Sequence, residues 1–428
     1  MRAATIYYKS EPAGILQQLD NGSFHFRYLE TWLEDKKKPA ISLTMPKAKK
    51  EFCSSIFYQR GRINRQFVNL RRSIPPIILA YFLIRLDSIR SVLLRLNKST
   101  LKMDQLRVCP STLMEGHQTY SRSAQLRLFN QHKVHHVLPY NSPASSEDVS
   151  GIFFENRTIM SISGVQEKFS LVLEKNKLRL ATPGESGHYL LKPIPALGKN
   201  RHLMPANEHL TMQIAKQVFQ IETAENGLIF FQNGEMAYLT KRFDRDESGL
   251  KRAKEDFAVL AERTPQTHGA NYKYEGNYLE LFQIMQQYVP AYAVEAPKLF
   301  KIILFNYLFS NGDAHLKNFS LLETSDGDFV LSPAYDLLNS QLHVAESDFA
   351  LLGGLYPKAQ YQGKLITQFQ HLGKMAGIPT VLVERILEQM LANSEEVEKL
   401  IRSSFLEEGA QKNYLQSYQG RLKRFKYL

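Results

Sequence analysis

The chain of 428 residues is long enough for two or three packing units with real cores, and its 43% hydrophobic and 22% charged residues exclude a disordered or fibrous polymer. Its two cysteines, Cys53 and Cys109, exclude a disulfide framework and a four-thiolate zinc site. The net charge of +12 lies wholly in the first quarter: residues 1–102 carry 19 Lys+Arg against 7 Asp+Glu, leaving 35 of each sign in 103–428. The larger part of the chain is therefore neutral, and direct nucleic-acid binding is not expected as its main activity.

The opening MRAATIYYKSEPAG has no apolar h-region. The longest apolar run, Ile74 to Ile84, holds two prolines and falls well short of the roughly 20 residues a bilayer span needs. A cytoplasmic chain with no membrane partner is the expectation. Residues 1–51 read as a small β-rich unit. Ala4–Tyr8 and Ser23–Tyr28 look like strands joined through an Asp20-Asn21-Gly22 turn, Trp32 is the candidate core anchor, and Pro39–Pro46 alternates like a further strand. Residues 52–102 change character, with ten basic side chains, one acid (Asp87) and no consistent amphipathic face.

From Met103 onward the pattern is clearer. Phe169–Leu173 and Leu178–Leu180 form a predicted hairpin, and Tyr189–Lys192 a third strand ended by Pro193. Asn207–Gln220 reads as a helix with Asn207 as N-cap and Leu210, Ile214 and Val218 along one stripe. Glu235–Thr240 is a short strand. After Lys241-Arg242-Phe243-Asp244-Arg245 the chain turns mostly helical, over Tyr278–Val289, Ala296–Ser310 and Pro379–Ile401. A β-rich half thus precedes an α-rich half, with the switch near residue 245.

The chemistry gathers in Asn311-Gly312-Asp313-Ala314-His315-Leu316-Lys317-Asn318, followed across a predicted hairpin (Phe319–Leu322, Phe329–Leu331) by Pro333-Ala334-Tyr335-Asp336. An Asp, an Asn five residues on and a second Asp beyond a hairpin suit phosphoryl transfer. The first carboxylate can accept a proton from an attacking hydroxyl, while the Asn oxygen and the second carboxylate offer hard ligands to Mg²⁺ on nucleotide phosphates. Upstream, Ser161-Ile162-Ser163-Gly164-Val165-Gln166-Glu167-Lys168 is a small-residue loop that lets backbone N–H groups approach phosphates. Lys192 can reach the same phosphates and Glu208 can hold it. His315 reads as a hydrogen-bonded structural histidine. No Walker-type loop, nucleophile elbow or zinc spacing is present.

Six blocks, SISGVQEKFSL (161–171), YLLKP (189–193), NEHLTM (207–212), KRFDR (241–245), NGDAHLKNFS (311–320) and LSPAYDLL (331–338), together resemble the HipA-like serine/threonine kinase toxins, over about residues 103–428 and closest to the compact HipT kinases. The resemblance implies an α+β, two-lobed protein-kinase-like fold, with a β-rich N-lobe over 103–245 and an α-helical C-lobe over 246–428, using ATP and Mg²⁺. It implies Asp313 as catalytic base, Lys192 on the phosphates, and Asn318 and Asp336 as metal ligands. It places Ser163, Gly164, Val165, Gln166, Glu167 and Lys168 on the phosphate side, and Lys241, Phe243 and Asp244 at the adenine and ribose. Ser161 and Ser163 match serines that HipT-like kinases autophosphorylate, where a phosphate would add roughly −2 charge beside the nucleotide. Aminoacyl-tRNA synthetases are the family's targets, and a HipB-like DNA-binding antitoxin and a HipS-like antitoxin are the implied partners. Residues 1–51 resemble part of the HipA N-terminal subdomain, encoded separately as HipS in three-component systems. Residues 52–102 are expected to be a basic linker unlike the family, as a read-through or frame-slipped join would leave.

Two rival readings stand beside the kinase toxin. A kinase for a small molecule or lipid would share the Asp-x4-Asn…Asp core. A catalytically silent module in an antitoxin–DNA complex would bind DNA in a salt-sensitive way without turning over ATP.

Overall fold

A computed structural model describes residues 2–8, 11–19, 23–54, 106–143, 167–182, 184–246, 249–344, 348–361 and 363–427. Ser161, Ser163, Gly164, Val165 and Gln166, the Asp20–Gly22 turn and nearly all of 52–102 lie outside these residues.

The N-terminal unit is a four-stranded antiparallel sheet of β1 (Arg2–Tyr8), β2 (Glu11–Gln18), β3 (Phe24–Tyr28) and β4 (Glu51–Ser54), with the short helix α1 (Glu30–Glu34) after β3. Phe26, Tyr28, Trp32 and Phe52 fill its core, so Trp32 is the anchor its singularity suggested. β2 is a strand that composition conceals. Its Pro12 sits beside a register irregularity at Ile6/Tyr7, and Gly14 is required because a Cβ there would stand 2.3 Å from the Phe26 ring. The expected strand over 39–46 is instead a series of turns. The Tyr28 hydroxyl donates to the Met45 carbonyl (2.7 Å) and accepts from the Ile41 N–H (2.9 Å), while Trp32 Nε1 donates to the Pro39 carbonyl (2.9 Å). These aromatic side chains satisfy backbone groups that a ladder would otherwise take.

The second sheet has five strands in the order β6-β5-β7-β9-β8: β5 (Phe169–Glu174), β6 (Lys177–Leu180), β7 (Tyr189–Lys192), β8 (Asn226–Phe230) and β9 (Met236–Lys241), all neighbours antiparallel. The predicted hairpin and third strand are present. β8, with every residue buried, shows no alternation by which a half-exposed strand is recognised. Helix α2 (Arg122–Phe129) covers one face through Leu128 and Phe129, packed with Phe169, Leu171, Tyr189 and Leu191.

Helix α3 (Met204–Gln217) packs against β8 and β9 and is buried continuously from Pro205 to Ala215. Asn207 is therefore an interior residue, not the N-cap, and the helix begins with Pro205 in its first turn, where a missing N–H does no harm. Its polar residues hold their neighbours: Asn207 Nδ2 donates to the Asn339 carbonyl (2.8 Å), and Gln213 Nε2 to Asn226 Oδ1 (2.9 Å).

The C-terminal half contains a third sheet, β10 (Lys254–Asp256), β11 (Ser320–Glu323) and β12 (Phe329–Leu331), of which β10 carried no strand signal. Around it run α4 (Tyr278–Tyr288), α5 (Tyr292–Leu308), α6 (Leu365–Met375), α7 (Thr380–Ala392), α8 (Ser394–Arg402) and α9 (Glu408–Tyr427). α5 begins at Tyr292 rather than at the expected Ala296, so that Pro297 lies inside it, and the helix expected over 379–401 breaks at Asn393, whose side chain donates to the Gln389 carbonyl (3.0 Å). α3 and the helical half share one continuous core. The N-terminal unit meets this half at Glu255 of β10, which accepts from the Leu43 N–H (2.7 Å) and the Ser42 hydroxyl (3.0 Å). Among the described residues, no helix is long and apolar enough to cross a membrane.

Candidate active site

Four stretches, from the five-stranded sheet, helix α3 and the helical half, converge on one ion cluster. Lys192, the last residue of β7, is buried with its Nζ 5.3 Å from the centre of the Tyr238 ring. It forms an ion pair with Glu208 of α3 (2.6 Å) and another with Asp336. Lys168, just ahead of β5, pairs with the second oxygen of Asp336 (3.6 Å). Burial alone would raise the Asp336 acid, but the Lys168 and Lys192 ammonium groups outweigh it and hold the carboxyl well below its usual range. Burial would likewise discharge Lys192, and Asp336 and Glu208 keep it charged. Glu208 is the yielding member of the cluster. Burial, opposed by Lys192 and aided by Asp336, pushes it up to about 7.

Asp336 has φ +57°, the left-handed region that Asp and Asn tolerate better than other side-chain-bearing residues. The loop 311–318 lies between α5 and β11 and is pinned from several sides. Ser340 Oγ accepts from the Gly312 N–H (2.8 Å) and donates to the Ser310 carbonyl (2.7 Å). Asn318 Nδ2 donates to the Asp313 carbonyl (2.8 Å), which leaves its side-chain oxygen as an available hard ligand. The Tyr335 hydroxyl donates to the Lys317 carbonyl (2.9 Å), linking the two predicted motifs.

Asp313 is held quite differently. Its side chain is 45% exposed; Oδ1 accepts from the Tyr274 hydroxyl (2.6 Å) and lies 3.8 Å from His315 Nε2. His315 is buried, and that burial lowers its pKa to about 4, so the imidazole is neutral. The hydrogen-bonded structural role expected for it is not met at Nδ1, which has no hydrogen-bond partner among the described residues.

Of the remaining candidates, Lys241 ends β9 with Nζ on Asn130 Oδ1 (2.5 Å). Phe243 packs against Tyr335 (centroids 5.6 Å apart), with the Lys254 ammonium over both rings. Asp244 is buried and chelated by Arg242 (2.9 and 2.7 Å); burial opposes ionisation, but the guanidinium prevails and brings the pKa down to about 2. Glu167 opens the described segment before β5. The structure thus gathers Lys168, Lys192, Glu208 and Asp336 into one ion cluster and links Asn318 to Asp313 through one backbone bond. Sequence reasoning missed Tyr274, which sits in an aperiodic loop, and Ser340, whose only signal is its place just beyond Asp336.

The donor set fits a nucleotide-bound metal. A carboxylate kept ionised and an amide oxygen are hard ligands of the kind Mg²⁺ takes in ones and twos, with phosphates and water completing its shell.

The family model described as the HipA-like C-terminal domain matches residues 160–397, and that of the HipA N-terminal domain matches 4–72, beyond the boundary expected at residue 51. A Haemophilus influenzae protein named "Putative kinase" is 26% identical over 302 residues, covering 65% of this chain and 86% of its own length. A Sinorhizobium fredii protein, "Putative kinase Y4dM", is 27% identical over 357 residues, covering 80% and 78% respectively. Among solved structures, a chain from the Shewanella oneidensis toxin–antitoxin complex of HipA, HipB and operator DNA superposes with a TM-score of 0.59 at 16% identity, covering 99% of this chain and 97% of that one. That likeness establishes the kinase-like α+β fold.

Proposed function

The chain belongs to the HipA-like family, and from that premise we propose that it is an ATP- and Mg²⁺-dependent protein serine/threonine kinase, acting as the toxin of a HipBA- or HipBST-type system. The observation that carries this reading is the ion cluster of Lys192, Glu208 and Asp336, joined to the loop of Asp313 and Asn318 by Asn311 Nδ2, which donates to the Asp336 carbonyl (3.5 Å). A buried Lys–Glu pair beside an ionised Asp is the arrangement by which kinases align and neutralise phosphates.

In this reading Lys192 and Lys168 turn from Asp336 to the nucleotide phosphates, exchanging one anionic partner for another. Glu208 keeps the Lys192 ammonium aimed at that position. Asp336 and the Asn318 side-chain oxygen hold the metal, and the half-exposed Asp313 takes the proton of the acceptor hydroxyl. Bound Mg-ATP supplies the phosphoryl group and the cation that neutralises its developing charge. Ser163, Gly164, Val165, Gln166, Glu167 and Lys168 would meet the phosphate side of the nucleotide, and Ser161 and Ser163 would be the chain's own acceptors. The segment from Lys241 to Phe243 would meet the base and Asp244 the ribose.

The names of the Haemophilus and Sinorhizobium relatives support the reaction class. The Shewanella complex supports a HipB-like antitoxin as partner. An aminoacyl-tRNA synthetase is the proposed protein substrate, a HipS-like protein a second partner, and the cytoplasm the compartment. Phosphopeptide mass spectrometry after incubation with Mg-ATP tests the core of this. Phosphate on Ser161 or Ser163 in the wild type and not in Asp336→Asn is the expected result. No phosphate together with no ATP binding overturns it and favours a silent binding module.

A further inference from the structure

The hydrogen bond from Tyr274 to Asp313 has no place in the reaction outlined above. A general base must accept a hydrogen bond of about 2.6–3.2 Å from the hydroxyl it deprotonates. In this structure a hydroxyl already makes that bond, at 2.6 Å, and it belongs to the protein. An O–H donated to a carboxylate is among the stronger hydrogen bonds, so the occupant is not loosely held.

The segment carrying Tyr274, the last residue of a short 3-10 turn (Tyr272–Tyr274), is held through its backbone. Gly269 (φ +69°) and Gly276 (φ +88°) turn the chain at either end. Between them, the Tyr274 carbonyl accepts from the Leu352 N–H (2.9 Å), the Gly276 carbonyl from the Gly353 N–H (2.8 Å) and the Glu275 carbonyl from Arg263 (2.7 Å). The ring is only partly buried, with the edge of His315 on one side (centroids 5.2 Å) and the Lys273 ammonium 4.8 Å from its centre. Rotation about the side-chain bonds alone would lift the phenol from Asp313, with every one of those backbone bonds intact.

We propose that Tyr274 is an internal occupant of the acceptor-hydroxyl position: its phenol holds the place on Asp313 that a substrate serine or threonine must take, and keeps water from taking it first. The proposal rests on Asp313 being the base of a kinase. The competing reaction it suppresses is hydrolysis. A water oxygen bonds to the γ-phosphorus of ATP, the water's proton passes to Asp313, and the bond from the γ-phosphorus to the β–γ bridging oxygen breaks as ADP leaves. With the phenol in place, that water cannot pass its proton to Oδ1, the oxygen the phenol already holds.

The test is acceptor-free ATP hydrolysis by the full chain with Mg-ATP, comparing wild type with Tyr274→Phe and Tyr274→Leu, and with calorimetry to verify that each protein binds nucleotide. Removal of a charge-assisted hydrogen bond predicts hydrolysis faster on the order of tenfold in Tyr274→Phe, and at least as fast in Tyr274→Leu. Hydrolysis that is unchanged or slower in both variants, with wild-type turnover intact, overturns the occupant role while leaving the kinase reading in place. Nucleotide binding with no turnover in any of the proteins, and no phosphate on the chain, overturns both.

Discussion

The candidate site holds two carboxylates, Asp336 and Asp313, and the protein treats the two in opposite ways. Asp336 is clasped by two ammonium groups in a nearly closed ion cluster, whereas Asp313 is half open to solvent with a phenol donating to it. The first arrangement keeps a charge ionised at every physiological pH and gives it cations to exchange. The second leaves a base within reach of an arriving hydroxyl. On the proposed reading, metal holding calls for the former and proton transfer for the latter, so the contrast in solvation would sort two identical side chains into two tasks.

The strongest attack on this comparison is Asp336→Asn. It should lower phosphotransfer by roughly 10³-fold or more. It should also destabilise the fold by about 3 kcal/mol, because the anion between two lysines is gone; chemical denaturation of the nucleotide-free protein reads the second effect. Asp313→Asn separates the two properties. Phosphotransfer should fall by about 10²–10⁴, while the denaturation midpoint stays near wild type because an exposed carboxylate with a phenol partner contributes little. A midpoint as low as that of Asp336→Asn would show that the two sites are not held differently. Glu208→Gln probes the support of the cluster instead of its centre, and kcat/KM for ATP should drop on the order of tenfold as Lys192 loses its second anion.

A third carboxylate gives the smallest effect and the finest control. Burial, opposed by the Leu43 N–H and Ser42 hydroxyl, pushes Glu255 up to about 7 from 4.5. The folded state therefore holds this proton to higher pH than the unfolded chain does. Stability from this group is complete below pH 4.5, declines as pH rises towards 7, and is level above it. Glu255→Gln should remove that decline, narrowing the difference in unfolding free energy between pH 5 and pH 7.5 by on the order of 2 kcal/mol. An unaltered difference would mean that Glu255 ionises as freely folded as unfolded.

The legible parts of the site were those the chain places close together. Asp313 and Asn318 share one loop and are joined there by a hydrogen bond, so spacing conveyed that link; Asp336, one hairpin later, meets the loop through Asn311. Lys192 and Glu208 could be paired in advance because a strand end and the next helix are neighbours. Nothing local joins Lys168 to Asp336 or Tyr274 to Asp313, since those contacts arise only from packing of distant segments. In the fold, the hairpin β5–β6 alternated and was plain, whereas β8 is buried on both faces and β2 contains Pro12 and Gly14, residues that strand propensity disfavours. Gly14 is explained only when the Phe26 ring against it is seen. Asn207 misled in the opposite direction. Its type suits a cap, and its burial in a helix that joins both halves outweighed that preference.

The left-handed backbone at Asp336 also writes a rule for which variants of this protein nature and the laboratory can keep. Conformation at that position admits glycine, asparagine and aspartate at low strain, whereas the Lys168 and Lys192 ammonium groups on either side ask for an anion, which only aspartate and glutamate possess. One residue satisfies both lists. A glutamate there would carry the right charge on a backbone that resists it, and an asparagine the right backbone without the charge. Aspartate at 336 is thus the single letter its position can spell, and lineages that abandon phosphotransfer should drift first to asparagine or glycine.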